Sequence, residues 1–524
     1  APVSHMQFIR RGYFTFRTSS RPQIRVRRGT RCYPAPPMPL RAMPRPALIA
    51  LAVGACVAGV LAATNPAVGL GLAIIGMAVA VLLTTPLPRL GRLGIVVAAV
   101  AAIVGPNLAV PGAPSIFAFR VVIVLLGLGA VGYLLMGGTL VIPRGLPRAA
   151  GLLMGLVVWS GLSIFWSHNT AAALRWTLFL AMMGGLAIGI ALACRRRPVA
   201  IRMLIALGVT FTFATALAIA ELRLGIRLPT SALAGRSEAG FATSLFGNQN
   251  NFATYLSLTL PYFLCLPIVF NDARLIALGA VGGAVTLGAL LFTGSRSNLI
   301  ATFLVFGGLI LTLATDRRRR GRLVGGVAVT ALAAILVIPS LGGGGLIPLP
   351  QTVVDKFDIG LLIEQQQNRS SGSGAVRGSI LDEGLALVAD SGGLGVGAGN
   401  AETSVRSLAN FTGIENLHNW WLEVLVNLGV VGFALYLGLF LTLLRGQLRA
   451  SRRTDDPLVR WLGLAGGLSL IGFVVGSLGP SSVIHFAPMW ITFGLGMLTL
   501  VMAHDTRTRT PSGPLDPHSE EHAP

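Results

Sequence analysis

The chain has 524 residues, of which 53% are hydrophobic and 11% charged, and its mean hydropathy is +0.74. Soluble domains carry about 25% charged residues, so this composition excludes a soluble globular protein and indicates an integral membrane protein. The net charge of +22 would suit a nucleic-acid-binding protein, but the arginines are spread over many short connections instead of one groove-binding domain. Membrane topology and anionic lipid headgroups account for the charge, and we expect no nucleic-acid partner.

The two ends of the chain differ in composition from the apolar region between them. Residues 1–46 are Arg-rich and lack acidic residues, a composition that organelle transit peptides share. A disordered cytoplasmic tail, or sequence upstream of a start at Met38 or Met43, is the favoured alternative. Residues 504–524 are polar and are predicted to form a second disordered cytoplasmic tail.

Between the tails, residues 47–503 are predicted to form one transmembrane domain. Its apolar runs are mostly about 17 to 22 residues long, which is the length that an α-helix needs to cross a hydrocarbon core of about 30 Å. The sequence therefore predicts an all-α, polytopic transmembrane helix bundle of about 12 to 14 spans with one large extracytoplasmic loop. The fourteen candidate spans are 47–63, 67–85, 93–110, 117–136, 150–166, 176–194, 199–219, 250–270, 275–293, 299–315, 323–339, 420–444, 461–478 and 487–503.

Arginine clusters predict the orientation of these spans. They fall at every second connection, and the positive-inside rule places all of those connections, with both termini, in the cytoplasm. One missed or invented span would move the later clusters to the wrong side, so the regular alternation supports the count. The clusters are Arg89 and Arg92, Arg144 and Arg148, Arg195 to Arg197, Arg274, Arg317 to Arg322, and Arg445 to Arg460.

Two extracytoplasmic connections are longer than the others, 220–249 and 340–417. Long loops in a compact bundle are usually functional or disordered. In the larger one, the Gly/Ser-rich stretch SSGSGAVRGS precedes GSILDEGLALVAD, which is typical of an amphipathic helix lying against the membrane face. The glycine-rich turn GGLGVGAGN follows it.

The next span begins with ENLHNWWLEVLVNLGVVG, residues 415–432. In a continuous helix, His418 shares one stripe with Leu422, Leu425, Gly429 and Gly432, and the glycines allow close approach to a neighbouring helix. Such packing would fix where His418 points. Trp420 and Trp421 are expected at headgroup depth. The alternative is a tryptophan belt and a glycine packing seam with a histidine that only caps the helix.

Four segments together carry a family resemblance. HN followed by nine residues and GVVG resembles the HN-x9-GxxG signature of the O-antigen ligase family, in the family's position after the large loop. FGNQNNFATYLSLTLP is similar to the family's G-N-x-N-x-x-A segment, and FTGSRSN to its S-R turn. The stretch from Arg377 through GLGVGAGN is similar to the family's loop, in which an arginine precedes a G-x-G-x-G-N turn. The resemblance covers about residues 160–500.

The resemblance implies transfer of a glycan from a polyprenyl-diphosphate carrier to an acceptor hydroxyl, on the outer face of the cytoplasmic membrane and without metal or other cofactor. The expected partners are the lipid-linked glycan donor, a glycan or glycolipid acceptor and membrane lipids. O-antigen polymerases share the fold, so ligase and polymerase both remain open. A transporter or lipid flippase is the competing class, but its ionisable residues would collect near the midplane instead of at one face.

Three residues are the catalytic candidates. A guanidinium can pair with the diphosphate leaving group, and Arg296 and Arg377 suit that role. The alternatives are a snorkelling cation for Arg296 and a solvated loop charge for Arg377. His418 would take the proton of the acceptor hydroxyl, because neutral imidazole is matched to that task near neutral pH.

Further polar residues are candidates for substrate binding. Arg120 and Arg175, near the ends of their spans, are predicted to line the headgroup pocket. Asn248 and Asn250 would hydrogen-bond sugar or diphosphate, or else cap the eighth span, and Asn419 is a further substrate-binding candidate. The remaining extracytoplasmic histidines, His168 and His485, are expected to be hydrogen-bonded spectators, and no histidine pair has metal-ligand spacing.

Overall fold

The computed structural model describes residues 87–110, 113–235, 240–314, 373–407, 416–480 and 484–509, all within one compact unit, Thr85–Pro524. Among these residues, ten helices are long and apolar enough to cross a membrane. The prediction of an all-α, polytopic membrane protein is therefore confirmed. The N-terminal tail and the predicted spans 47–63, 67–85 and 323–339 lie outside the described residues.

The described helices match the other predicted spans. Those before the large loop are α1 (Leu87–Val104), α2 (Ala118–Leu135), α3 (Pro147–Leu162), α4 (Thr170–Ala193), α5 (Arg197–Leu224), α6 (Gln249–Leu264), α7 (Leu266–Val269), α8 (Ala273–Leu291) and α9 (Arg296–Ala314). The loop contributes α10 (Ser373–Asp390) and α11 (Ala401–Arg406). The last three are α12 (Trp420–Arg453), α13 (Pro457–Gly476) and α14 (Ala487–Arg509). One short antiparallel pair, β1 (Ala109–Val110) and β2 (Ala113–Phe117), joins α1 to α2.

Side-chain caps fix where many of the helices begin. The first N–H groups of a helix lack intrahelical partners, and an Asn or Asp oxygen just before the first turn accepts from them. Side-chain capping matters more in an apolar bundle than in water, because few other hydrogen-bond acceptors are available there. The caps of this kind are Asn169 for α4, Asn248 for α6, Asp272 for α8, Asn419 for α12 and Asp456 for α13.

Small residues let the central helices α12, α13 and α14 pack closely. A β-carbon on Gly463 of α13 would lie 2.6 Å from the carbonyl oxygen of Gln447 on α12. A β-carbon on Gly494 of α14 would lie 3.1 Å from the carbonyl oxygen of Ala187 on α4. Glycine at these positions brings the backbones within van der Waals contact, which is the usual basis of helix association in membranes.

Connections predicted to share one side of the membrane meet in the structure. At the predicted cytoplasmic end, Arg197 forms a salt bridge of 3.2 Å with Asp456, which joins the α4–α5 and α12–α13 connections. At the other end, the Asn169 N–H donates to Asn400 Oδ1 over 2.8 Å, which joins the α3–α4 connection to the large loop. The helix directions are thus consistent with the predicted alternation.

Some element boundaries differ from the prediction. Helix α10 begins at Ser373, so Arg377 lies in a helix instead of in the Gly/Ser-rich stretch before it. Helix α6 continues through Pro261 and ends at Leu264, where Cys265 separates it from α7. Helix α14 extends to Arg509, beyond the predicted end of its span at residue 503.

Candidate active site

His418 lies just before α12, in a left-handed backbone conformation with φ of +46°. Its N–H donates to Asn416 Oδ1 over 2.9 Å, and its imidazole is half-buried. The next residue, Asn419, caps the helix, since its side-chain oxygen accepts from the N–H groups of Trp421 and Leu422. A non-glycine residue with positive φ is costly by about 1 to 3 kcal/mol, and such residues cluster at functional sites.

Helix α12 folds back on itself at Gly429, where φ is +65° and ψ is −168°. In a straight helix, Trp421 and Phe440 would be about 28 Å apart, because each residue adds about 1.5 Å. Their rings are instead 5.2 Å apart, and Trp421 also packs 5.7 Å from Tyr436. Residues 420–428, which we call the returning segment, therefore run back into the bundle from the bend.

The fold-back corrects two expectations. Trp420 is fully buried 5.2 Å from Phe473 of α13, so it belongs to the bundle core and not to a headgroup belt. The continuous stripe from His418 to Gly432 does not exist, because the helix is broken at Gly429. Gly432 does approach a neighbouring helix as predicted, since a β-carbon there would lie 3.0 Å from Trp159 Cδ1 on α3.

The partner of Gly429 is a loop and not a helix. The glycine-rich turn, residues 391–400, fills the break: the Val430 N–H donates to Gly393 O, and the Val396 N–H to Val426 O, each over 2.9 Å. A β-carbon on Gly429 would collide with Gly393 O, and one on Gly395 would lie 2.5 Å from Gly429 N. This close contact thus requires glycine in the loop, at Gly395, and also at the bend, at Gly429.

Buried asparagines hold the glycine-rich turn in place. Asn400 is fully buried, and its amide nitrogen donates to Ala398 O over 2.9 Å. Asn427 Oδ1, inside the returning segment, accepts from the Ala401 N–H over 3.1 Å. The sequence interpretation did not single out Asn427, although a polar residue in an otherwise apolar run was a signal for it.

Arg296 is the first residue of α9 and is half-buried. Its turn is fixed by Asn298, which is fully buried: Oδ1 accepts from Ser257 Oγ over 2.8 Å, and Nδ2 donates to Thr254 Oγ1 over 3.2 Å and to Ser295 Oγ over 3.0 Å. These bonds attach the turn to α6. Asn298 is a positioning residue that the sequence interpretation quoted but gave no role.

A buried carboxylate holds the segment before α6. Glu221, at the end of α5, accepts from the N–H and hydroxyl of Thr243 over 2.7 and 3.0 Å and from the N–H of Ser244 over 2.9 Å. Asn248 follows and caps α6 by accepting from the Asn250 N–H over 2.8 Å. The capping alternative is thus confirmed for Asn248, while the Asn250 side chain is half-buried in the first turn.

Arg120 and Arg175 lie beside a second group of aromatic side chains. With Phe117, Phe179 and His485, Arg120 forms what we call the Arg120 group. The Arg120 guanidinium carbon is 4.9 Å from the Phe117 ring centre and 5.5 Å from that of Phe179. The ring of Phe179 also contacts His485, with the two ring centres 4.4 Å apart. Arg175 is exposed one turn before Phe179 on the same helix face. Burial, and to a lesser extent Arg120, lowers the pKa of His485 to about 4.

The end of α13 brings three of the predicted segments together. Gly476 O accepts from Thr254 Oγ1 of α6 over 3.3 Å, and Ser477 O accepts from the Trp420 N–H over 3.1 Å. A β-carbon on Gly479 would lie 2.8 Å from Ser297 Oγ, next to Arg296. The segments that carry Asn250, His418 and Arg296 therefore meet at one place.

The remaining candidates lie on neighbouring elements. His485, in the α13–α14 connection, has its ring 4.4 Å from that of Phe179, so this connection also reaches the Arg120 group. Arg377 lies in α10, which packs against the returning segment through Gly384 and Leu422; the Arg377 side chain is outside the described part of the structure. His168 is exposed in the α3–α4 connection.

Comparison with known proteins finds similarity over part of the chain. Residues 281–437 match the family described as O-antigen ligase, a stretch that contains Arg296, Arg377 and His418. The chain is also 26% identical over 259 residues to the teichuronic acid biosynthesis protein TuaE of Bacillus subtilis (strain 168). That similarity covers 49% of this chain and 51% of the relative, so the chain spans about half the length of the relative that it matches. The chain is thus a multi-pass helical protein in which residues 281–437 are similar to the O-antigen ligase family, and the segments that carry this similarity meet at the end of α13.

Proposed function

We propose that the protein transfers a glycan from a polyprenyl-diphosphate carrier to an acceptor hydroxyl on the outer face of the cytoplasmic membrane. The observation that supports this most is the meeting of the Arg296 turn, the start of α6 and the His418 segment at the end of α13. A permanent cation and an imidazole on segments that meet suit a reaction that expels a diphosphate and removes a hydroxyl proton.

Arg296 would bind the diphosphate. Its guanidinium can form two parallel hydrogen bonds to phosphate oxygens and meet the charge that grows as the glycosidic bond breaks. The turn is held by the buried Asn298, so the backbone at Arg296 is fixed before substrate arrives. Arg377, carried by α10 against the returning segment, would supply a second guanidinium.

His418 would act as the general base toward the acceptor hydroxyl. A positioned base typically contributes about 10² to 10⁴ in rate. The fold-back of α12 supports this role, because it packs Trp421, three residues after His418, against Tyr436 and Phe440 and so turns the start of the helix toward the bundle. There the imidazole is half-buried and its backbone is fixed by Asn416.

The arrangement favours chemistry over transport. The polar groups of the candidate site lie at helix starts and connections of one end, whereas alternating access requires a binding site near the bilayer midplane. The relative in Bacillus subtilis is named for teichuronic acid biosynthesis, which supports assembly of a cell-surface glycan as the process that this chain serves.

The test is transfer by the purified protein in detergent. Given a polyprenyl-diphosphate-linked glycan and an acceptor, it should release polyprenyl diphosphate without added nucleotide and in the presence of a chelator. A strict metal requirement, or movement of the intact carrier across a vesicle membrane without bond cleavage, would contradict the proposal.

A polymerase is the second candidate function, because both reactions require the same donor site and differ in the acceptor. Mass spectrometry of the products distinguishes them: a ligase adds one glycan to each acceptor, whereas a polymerase gives a ladder in which lipid-linked repeats are themselves the acceptors. We favour the ligase, since the HN-x9-GxxG segment is that family's signature.

A further inference from the structure

Four exposed arginines lie at the predicted cytoplasmic end of α3 and α12. Arg144 and Arg148 are beside the start of α3, and Arg445 and Arg449 are near the end of α12. We call these four residues the basic cluster. The reaction proposed above uses none of them, because its candidate residues lie at the other end of the bundle.

The packing of α3 against α12 brings the two pairs of arginines toward one another. A β-carbon on Gly155 of α3 would lie 3.5 Å from Leu435 Cδ2, and one on Gly438 of α12 would lie 3.5 Å from Leu152 Cδ2. The two helices therefore run side by side in opposite directions. Arg148 is one turn before Leu152, on the face of α3 that meets α12.

The arginines of α12 lie on the matching face. Arg445 follows Gly438 by seven residues, which is two turns or about 10 Å, and Arg449 is one turn further on. Because α12 is antiparallel to α3, both faces reach the same end of the bundle. The basic cluster is therefore carried by two facing stripes and not by the outer surface of one helix.

Helix α14 fixes the same ends of α3 and α12. A β-carbon on Gly145 would lie 2.9 Å from Leu500 O of α14, and one on Gly446 would collide with Leu500 Cδ2. The direct neighbours of these glycines in the chain are Arg144 and Arg445. The α2–α3 connection and α12 thus meet at one residue of α14, each with an exposed arginine beside the contact.

The positive charge of the basic cluster is not balanced within the described part of the chain. None of its four arginines forms a salt bridge with a described residue, whereas Arg197 and Arg460 of neighbouring elements pair with Asp456 and Asp455. Asp505, near the end of α14, is not paired with any of the four. Like charges that converge repel one another, and an anion placed between them turns this repulsion into attraction.

Exposed apolar side chains continue from the basic cluster along the same two helices. Met154 and Val158 of α3 and Val431 of α12 are each about half exposed. Cations at the end of a span with exposed apolar surface beyond them match the headgroup and the acyl chains of a phospholipid. A small soluble anion would use only the cations.

We propose that the basic cluster binds an anionic phospholipid of the cytoplasmic leaflet. Its phosphate lies between the arginines of α3 and those of α12, where guanidinium groups can form paired hydrogen bonds to phosphate oxygens. Its acyl chains follow the exposed side of the two helices. This lipid is a bound partner at the end opposite to the proposed reaction, so the site does not depend on glycan transfer.

The experiment counts the lipid molecules bound to the purified full-length protein by native mass spectrometry. Protein in an uncharged detergent is titrated with phosphatidylglycerol, which is anionic, and with phosphatidylethanolamine, which is zwitterionic. The test variant combines Arg148→Gln with Arg445→Gln and so removes one cation from each helix. The matched control combines Arg195→Gln with Arg196→Gln, since both of these arginines are exposed in the α4–α5 connection at the same end.

We expect the test variant to bind phosphatidylglycerol about tenfold more weakly than the wild type or more, and the control to bind it like the wild type. Phosphatidylethanolamine should bind weakly to all three proteins, because its ammonium group cancels the charge of its phosphate. Binding of phosphatidylglycerol should also weaken as salt is added. If the test variant melts at a lower temperature than the control without lipid, Arg144→Gln with Arg449→Gln takes its place.

Three results would overturn the inference. The first is equal affinity of the test variant and the control for phosphatidylglycerol, and the second is equal binding of the two lipids by the wild type. The third comes from inorganic phosphate as a separate probe: if it raises the melting temperature of the wild type as much as phosphatidylglycerol does at the same concentration, the cluster binds free phosphate and not a lipid. Glycan transfer is a separate measurement, and its failure would leave the lipid site standing.

Discussion

At the scale of single residues, the candidate site depends on side chains that are fixed by their neighbours. The positive φ of His418 costs free energy, and it is retained because Asn416 accepts from the His418 N–H and Asn419 caps the following helix. The Arg296 turn is held in the same way by Asn298. Preorganisation of this kind lowers the barrier only for the reaction whose geometry it matches.

The role of Arg296 is tested by Arg296→Lys. Lysine keeps the charge but loses the planar pair of donors, so we expect transfer to fall at least about tenfold. A cation that only snorkels would tolerate the change. Arg223→Lys, an exposed arginine near the end of α5, is the control and should transfer normally. Release of polyprenyl diphosphate is the measurement, at matched membrane abundance.

His418→Ala separates catalysis from binding. Loss of a general base should reduce the rate of transfer by about 10² or more while the affinity for the carrier stays near normal, because the base acts on the acceptor proton in the transition state. His168→Ala is the matched histidine control. Full transfer by His418→Ala at normal abundance would leave His418 with a structural role alone.

His485 makes stability depend on pH. Its pKa falls from 6.5 to about 4 on folding, so between these values the unfolded chain binds a proton that the folded chain does not. The contribution of neutral His485 to the free energy of unfolding is fully present above pH 6.5 and is lost as the pH falls toward 4. The melting temperature of His485→Asn, relative to wild type, should therefore rise as the pH is lowered through this window. A difference in melting temperature that does not change with pH would contradict the lowered pKa of His485.

At the scale of elements, the bend of α12 and the glycine-rich turn form one unit. The turn supplies Gly393 O to the Val430 N–H, and the Leu428 carbonyl released by the bend accepts from Trp159 Nε1 of α3 over 2.8 Å. The unit fixes the returning segment and therefore the position of His418.

Gly429→Ala should disrupt this unit. The native φ and ψ are almost restricted to glycine, which alone costs about 1 to 3 kcal/mol, and the new β-carbon would collide with Gly393 O. We expect a lower melting temperature and a strong loss of transfer. Gly438→Ala in the same helix is the control, since its β-carbon would lie 3.5 Å from Leu152, an ordinary contact. Equal behaviour of the two variants would exclude the role given to the bend.

The sequence predicted the helices well because the bilayer restricts a spanning segment to one structure. It also singled out the segments of Arg296 and His418, whose motifs are local, and the roles given to these two residues stay predictions. It could not predict the fold-back, because helical periodicity assumes a continuous helix and the positive φ of Gly429 depends on a loop about 30 residues earlier. The role of Glu221 was hidden for the same reason, since its donors, Thr243 and Ser244, are distant in the chain.

At the scale of the whole molecule, the connections between helices form two groups, one at each end of the helix bundle. Arg197 and Asp456 join connections at the predicted cytoplasmic end, and Trp420 and Ser477 join those at the other end. All catalytic and substrate-binding candidates belong to the second end. The arginine-rich connections that determine orientation are thus distant from the arginines that are proposed to bind substrate.

Thiol labelling tests this orientation. In a background in which the four native cysteines are replaced, His168→Cys should react with an impermeant thiol reagent in intact cells, and Asp455→Cys should react only after lysis. Both positions are exposed, so accessibility within the protein does not limit the reaction. The reverse pattern would place the candidate site in the cytoplasm.

The fold-back of α12 also has a consequence for how the protein matures. Residues 420–444 are an apolar run that would first enter the bilayer as a straight span. His418 would then lie at the membrane surface. In the folded protein the bend at Gly429 is held by Trp159 of α3 and by the glycine-rich turn, so we expect Trp420 to enter the bundle when these partners are in place. If His418 has the role proposed for it, newly inserted chains are expected to be inactive until this packing is complete.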